Sequence, residues 1–478
     1  MLLNLGQTLQ GKVLSGVGWL RYILMERYYF YTIRVGIVIT TIALTSLSAA
    51  IIVNRGGILS FVVVGALAGL FVFVIVYNYL EYGCLVLLFA STVGNFGLPN
   101  NLSTTLLLLL LLLFIWFAKM IVADRNFSKL RPAAPNKFVF LFAFAVIISF
   151  IWSSFYVDPN ISYFQNQKFL PRTLTAIVLI ISPLTILFYG NIFRSIKLIK
   201  QFIWFFIIFG GFIGIARLLR LEFLGFLNDG GQIAAWTSIL AFGQILFNKS
   251  LKRWQVLFLT GVIGFWVYKS LGFGITWLSG WMPLTLGLVI MIMLHSRRMF
   301  ILAIIVLSFG AFHYREQLSE AFFDEQEESG NTRAEAAGTV LDIAHEHFLF
   351  GTGPAGYYFY MTVNVGGFFQ LTHNNYLDIY AQTGVFGFAT WVLLWLSVGW
   401  VLWQVYRSKP QDDFVRGLSL SLIAIYPMSL MLMMLGDWLT PFTYTGGLNG
   451  ISYAIWPWMF AGIGLSLYHQ LPKLASEN

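Results

Sequence analysis

The stretch "LSTTLLLLLLLLFIWFAKMIV", residues 102–122, carries no charge before Lys119. A helix needs about 20 predominantly apolar residues to cross a bilayer, and this run supplies them. Comparable runs lie near 35–53, 58–77, 79–94, 137–155, 174–190, 201–216, 232–248, 255–268, 275–295, 299–312, 384–406, 415–436 and 449–468. Together they predict about 14 spans, of which the third, ninth and eleventh are short for the purpose. Composition agrees, with 58% hydrophobic and 10% charged residues, where a soluble domain carries roughly 25% charge. The expected fold is an all-α integral membrane protein, a polytopic bundle of about 12–14 transmembrane helices with one large external helical loop.

The basic residues orient the bundle. With the N-terminus cytoplasmic, the external segments hold only Arg55, Lys168, Arg172, Arg217, Arg220, Lys269, Arg315 and Arg333 of the 29 Lys and Arg. The rest face inward, as the positive-inside rule requires. The net charge of +9 is therefore a topology signal. Its cations are scattered over short loops with no single patch, which argues against nucleic acid. The organisation that follows is a basic cytoplasmic segment 1–34, a bundle over 35–312 and an external loop 313–383. Further spans over 384–468 and a cytoplasmic tail 469–478 complete it. Residues 1–33 lack the uninterrupted apolar core of a cleavable signal. The one cysteine, Cys84, excludes a disulfide framework and any Cys-based metal site.

Function is expected in the loop 313–383, because loops much beyond about 15 residues tend to be functional or disordered. Its acidic cluster, Asp324, Glu325, Glu327 and Glu328, matches no defined calcium loop and reads as a solvated face. His345 and His347 resemble a metal pair, but residues two apart on a helix point to different sides. "GTGPAG", 351–356, lacks the Lys-Ser/Thr of a nucleotide loop and reads as a turn after a helix over 334–348. The alternative is that its N–H groups line an anion site. In "LTHNNYLDIYAQTGVFGF", 371–388, Asn374 or Asn375 is placed to cap a helix over 376–383 that Gly384 ends. His373 would then precede a helix N-terminus, whose dipole disfavours imidazolium. A neutral imidazole can accept a proton, as a general base must.

Arg333, "LDIAHEHFLFGTGPAGYY" (341–358) and "HNNYLDIYAQTGVFGF" (373–388) together resemble the bacterial O-antigen ligase and polysaccharide polymerase superfamily. The likeness is best over about 330–395 and elsewhere extends only to the general multi-span plan. It implies a glycosyltransferase of the bacterial plasma (inner) membrane. Such an enzyme moves a glycan from a polyprenyl diphosphate carrier to an acceptor hydroxyl on the external face. The acceptor is another glycan or a lipid A core. It implies His373 as the catalytic residue and Arg333 as a donor-binding cation. The family's His-Pro-Leu histidine corresponds to His347, with Phe348 in place of proline, which favours a structural role for it. One departure stands out: the family's Ser-Arg-Gly falls in "TWLSGWMPLTLGL", 276–288, with Ser279 where arginine is expected.

The missing cation must be supplied elsewhere. Lys269 is one candidate, and Arg217 and Arg220 are others, being three apart and able to share a helix face. Arg172 is a weaker one. Asn374 and Tyr376, beside His373, complete the expected binding set. His373 would deprotonate the acceptor, whose oxygen displaces the diphosphate with inversion, and arginine forks suit the phosphate oxygens. No metal and no cofactor is called for. Trp281 and the aromatics 357–360 are candidates to line the glycan path. Expected partners are the lipid-linked donor, the glycan or lipid A core acceptor and membrane lipid, with a chain-length regulator as a further candidate. The rival class is a transporter or flippase of lipid-linked glycans. Transporters tend to show internal repeats and ionisable residues near the bilayer midplane, and neither is evident.

Overall fold

A computed structural model describes residue 77 and residues 79–93, 103–123, 130–156, 158–159, 161, 165–224, 227, 230, 232–273, 277–325, 331–364, 372–443 and 447–476. The chain divides into Met1–Leu80 and Glu81–Asn478. The basic segment 1–34 and the spans expected at 35–53 and 58–77 lie outside the described residues, as do Glu327 and Glu328 of the acidic cluster.

The second unit is helical. Among the described residues the sole β pairing is an isolated bridge between Val93 and Leu227. In chain order the helices are α1 Leu80–Thr92, α2 Thr104–Ala118, α3 Ala134–Phe155, α4 Gln165–Ile192, α5 Ile196–Leu218 and α6 Ile233–Phe247. Next come α7 Arg253–Tyr268, α8 Leu278–His295, α9 Arg297–His313, α10 Arg315–Glu325, α11 Asn331–Glu346 and α12 Gly356–Asn364. The chain then forms α13 Asn375–Arg407, α14 Asp413–Leu435, α15 Ile451–Ala454 and α16 Trp456–Ser476. Each span expected beyond residue 78 has a helix at its place. Among the described residues, eight helices are long and apolar enough to cross a membrane. The ninth expected span, short by sequence, is lengthened by a π turn, Lys269–Phe273, and is one of the eight. α1 and α6 are shorter. α9 buries none of its residues fully and packs on α8.

The tightest packing runs between α4 and α16, α3 and α13, and α6 and α14. Polar side chains inside the bundle are returned to nearby backbone. Ser421 Oγ donates to Ile239 O at 3.0 Å, and Gln244 Nε2 donates to Phe414 O at 3.2 Å. In hydrocarbon such closure is required, because an unpaired polar group there costs several kcal/mol.

The decisive irregularity is in α13. Gly384 has φ +65° and ψ −171°, a region essentially open to glycine alone. The break frees carbonyls one turn earlier, and the turn after α11 takes them. Thr352 N–H donates to Ala381 O at 2.9 Å and Gly353 N–H to Gln382 O at 3.0 Å. In the other direction Val385 N–H donates to Phe348 O at 2.8 Å. Gln382 Oε1 accepts from Ala355 N–H at 2.7 Å, and Gln382 O also accepts from Ser149 Oγ of α3 at 2.6 Å. The two segments touch backbone to backbone: a Cβ on Gly384 would lie 2.4 Å from Leu349 O. This pairing consumes the N–H groups of "GTGPAG", so the turn reading holds and the anion-site alternative falls. The sequence signal for Gly384 as a helix stop is met in geometry, although helix resumes directly beyond it.

Gly384→Ala should destabilise the protein by about 1–3 kcal/mol from backbone strain, with the clash adding to it. Gly310→Ala, where a Cβ would meet nothing within 4 Å, is the control. Thermal melting in detergent checks this. Equal melting temperatures for the two variants would contradict the interlock.

Candidate active site

The site is assembled on α11, α12 and the start of α13. α11 buries Ala336, Val340, Ile343 and Ala344, a four-, three- and one-residue spacing that makes one apolar helix face. Against it pack Tyr357, Phe359, Tyr360 and Met361 of α12 and Ala381 of α13. Two phenols pin α12: Tyr357 Oη donates to Asp378 at 3.0 Å and Tyr360 Oη to Asp158 at 3.1 Å. Tyr357 is wholly buried, so it packs and does not line a glycan path. Phe359 and Tyr360 do line a cavity.

α13 opens as its sequence requires. Asn374 is the N-cap, and its side-chain oxygen accepts from Tyr376 N–H at 2.9 Å and Leu377 N–H at 3.3 Å. Asn375 turns the other way and holds the loop after α14. Its Nδ2 donates to Thr440 O at 2.9 Å, and its Oδ1 accepts from Leu439 N–H and Thr440 N–H, each at 3.3 Å. That clamp carries Asp437 toward His373. Thr175 of α4 meets Thr443 at 2.5 Å, so the same loop is also tied to α4.

His373 sits just before the cap with φ +45°, a left-handed backbone that a non-glycine residue holds only where its surroundings impose it. It is part-buried, and its ring centroid lies 6.2 Å from that of Phe442. Burial is the main influence on its ionisation and lowers the imidazole pKa, Arg333 lowers it further, and Asp437 opposes both. Asp437 is shifted upward, mainly by burial. Hydrogen bonds from backbone N–H groups and the proximity of His373 work against that shift. A cation and a carboxylate thus each act on a histidine kept neutral at physiological pH. Such a histidine can take a proton, and the carboxylate can then stabilise the imidazolium.

The remaining expected residues are distributed as follows. Arg217 Nη2 donates to Leu227 O at 2.7 Å. Arg220 is exposed with φ +51° in the turn after α5. Lys269 Nζ lies 5.2 Å from the Trp266 ring centroid. None of the three is among the charges acting on His373. Tyr376 Oη donates to Leu430 O at 3.0 Å, bracing α13 on α14. Ser279 O accepts from Gln232 Nε2 at 2.6 Å, and Trp277, two residues earlier, has its ring 5.7 Å from that of Trp438, next to Asp437. Sequence reasoning missed Asp437 and Asn375. A signal for the first existed, an acid at the end of a span on the same side as the long loop. His345 and His347 diverge as their spacing predicts, the first against Tyr380 and the second against Tyr360. Among the described residues no group of three or more His, Cys, Asp or Glu converges as a metal site.

Residues 256–392 match the family model described as O-antigen ligase. The segment contains Arg333, the "GTGPAG" turn, His373 and Gly384, the residues on which the resemblance was drawn. No curated protein matches the chain.

The coupling of the three groups is open to titration. NMR of histidine-labelled protein should place His373 below the ordinary value of about 6.5. Asp437→Asn removes the influence that raises the pKa and should move it lower. Arg333→Gln removes one that lowers it and should move it higher. Shifts in the same direction, or none, would contradict the arrangement.

Proposed function

We propose that this chain, whose residues 256–392 match the O-antigen ligase family model, transfers a glycan from a polyprenyl diphosphate carrier to an acceptor hydroxyl at the external face of the inner membrane. Membrane glycan transfer of the ligase or polymerase type is what the family match supports in general. The observation that carries the finer reading is the position of His373, strained, part-buried and under the opposed charges of Arg333 and Asp437.

The chemistry runs in one displacement. His373 takes the proton of the acceptor hydroxyl as its oxygen attacks the anomeric carbon of the donor sugar. The bond from that carbon to the diphosphate oxygen breaks, and the diphosphate leaves with the electron pair, so the centre inverts. Charge grows on the leaving group and on the imidazole together. Arg333 meets the first with a fork suited to phosphate oxygens, and Asp437 meets the second. Preorganised charges of this kind often supply the largest catalytic term. Ser279 leaves the family's second cation to be found elsewhere, with Lys269, Arg217 and Arg220 the candidates. Asn374 and Tyr376 flank the acceptor's approach, though both have side-chain oxygens engaged in the fold. No step calls for a metal.

The test is to incubate purified protein with a polyprenyl-diphosphate-linked oligosaccharide, with and without a lipid A core acceptor. A ladder without core identifies a polymerase, and a single transfer that needs core identifies a ligase. His373→Ala should lose about 10²–10⁴-fold in rate, the contribution usual for a general base. Arg333→Ala should weaken donor use. Near-normal transfer by His373→Ala would overturn the assignment.

A further inference from the structure

The cation expected to matter least, Arg172, lies in a different place from the site above. A cavity of about 470 Å³ opens between the end of α3, the start of α4 and the α11–α12 turn. That volume falls within the 300–1,000 Å³ usual for small-molecule sites. Its polar wall is made by Asp158, Arg172, His347 and Tyr360, and its mouth by Trp152 and Tyr156. None of these groups has a part in the transfer step described above.

The polar wall is built and partly unsatisfied. Arg172 Nη2 donates to Ser153 Oγ, and its guanidinium lies 5.6 Å from the Phe150 ring centroid. Its Nε is buried without a partner, as is His347 Nε2. Buried polar atoms are paired in the great majority of cases, so an unpaired atom on each of two residues that line one cavity marks its polar wall as incompletely satisfied within the protein. Glycine at 353 is needed for this wall. A Cβ there would come 2.9 Å from Arg172 Nη2, on a backbone at φ +88°. His347 also lines the cavity, its ring 5.0 Å from that of Tyr360.

The chemistry of the wall selects a ligand class. One guanidinium is balanced by one carboxylate, Asp158, so a strongly anionic ligand has no net charge to meet. Donors and acceptors alternate across a short span, from arginine and imidazole to carboxylate and phenol. Trp152 and Tyr156 stand at the mouth as exposed rings, with centroids 4.0 Å apart. Apolar ring faces beside mixed donors and acceptors match a sugar, which presents C–H faces and hydroxyls together.

We propose that this cavity is a saccharide subsite, holding sugar residues of the glycan remote from its reacting end. Helix α11 fixes the separation. Arg333 lies in its first turn, and His347 directly follows its last residue. At 1.5 Å per residue the two ends are about 20 Å apart, a gap bridged by an oligosaccharide of several residues. The loop tie between Thr175 and Thr443 keeps both sites at one end of the bundle. The inference rests on the glycan-transfer reading for the identity of the saccharide, but its test does not require turnover.

Ser154 lines the cavity and is exposed, while the single native cysteine, Cys84, is fully buried. Ser154→Cys therefore provides a thiol whose maleimide labelling reports on the cavity. The probe is the oligosaccharide mixture released by mild acid from the lipid-linked glycans of the producing cell, with maltohexaose as a non-cognate control. Labelling should slow about tenfold when saccharide is present at about ten times its Kd. The protection should vanish in Arg172→Gln and in His347→Phe, each checked for an unchanged melting temperature, and persist in His373→Ala. Absence of protection, or protection that survives both cavity substitutions, would overturn the proposal. Protection in a protein that performs no transfer would leave the subsite standing and remove the transferase reading. Transfer without protection would do the reverse.

Discussion

The architecture depends on one exchange of backbone hydrogen bonds. A buried helix cannot simply break, because the carbonyls released must find other partners. Here α13 breaks at Gly384, and the turn 348–356 supplies the missing partners from another part of the chain. Gly351 and Gly384 allow the two backbones to meet at van der Waals distance. The same contact holds the C-terminal end of α11 against α13, and Ser149 ties both to α3. What would be a defect in one helix becomes the joint on which the outer elements are mounted.

From that joint the site follows by short steps. α11 runs away from it along the apolar face of Ala336, Val340, Ile343 and Ala344 and brings Arg333 to its far end. α13, starting two residues after His373, is capped by Asn374. Asn375 reaches sideways to fix the loop that carries Asp437. Each member of the triad is thus placed by a different device: a packed face, a strained residue before a cap and an amide clamp. Removing Asn375 would orphan three backbone groups, each costing about 1–3 kcal/mol when buried. The precision of the site is therefore bound to the stability of its supports. The saccharide cavity at the other end of α11 is mounted on the same joint, through Gly353 and Thr352, so the two sites are held at a set distance.

Much of this was legible in the sequence, for physical reasons that differ by element. Spans are legible because lipid enforces long apolar runs, and every expected span within the described residues has its helix. Gly384 and Asn374 are legible because a helix stop and an N-cap require particular residue types. His373 and Arg333 were proposed from a motif, and Arg333 is one of the charges acting on His373. Asp437 was not found: its local signal, an acid at the end of a span, gives no direction toward His373, and its placement arises from a clamp made by a residue far away in sequence, Asn375. Arg217, Arg220 and Lys269 were chosen by charge and side of the membrane alone. Those criteria fix a level in the bilayer but no direction across it. His347 was taken as structural from its place in a motif, and only the fold reveals that its ring faces a cavity with Arg172.

The account stands on His373 and Asp437 working as a unit. The most direct measurement is a double-mutant cycle on kcat/KM for glycan transfer, using His373→Ala, Asp437→Asn and the pair. If the carboxylate acts through the imidazole, adding Asp437→Asn to His373→Ala should cost almost nothing more, because residues that act as a unit are strongly non-additive. Losses that simply multiply would show two independent roles and contradict the arrangement proposed for this site.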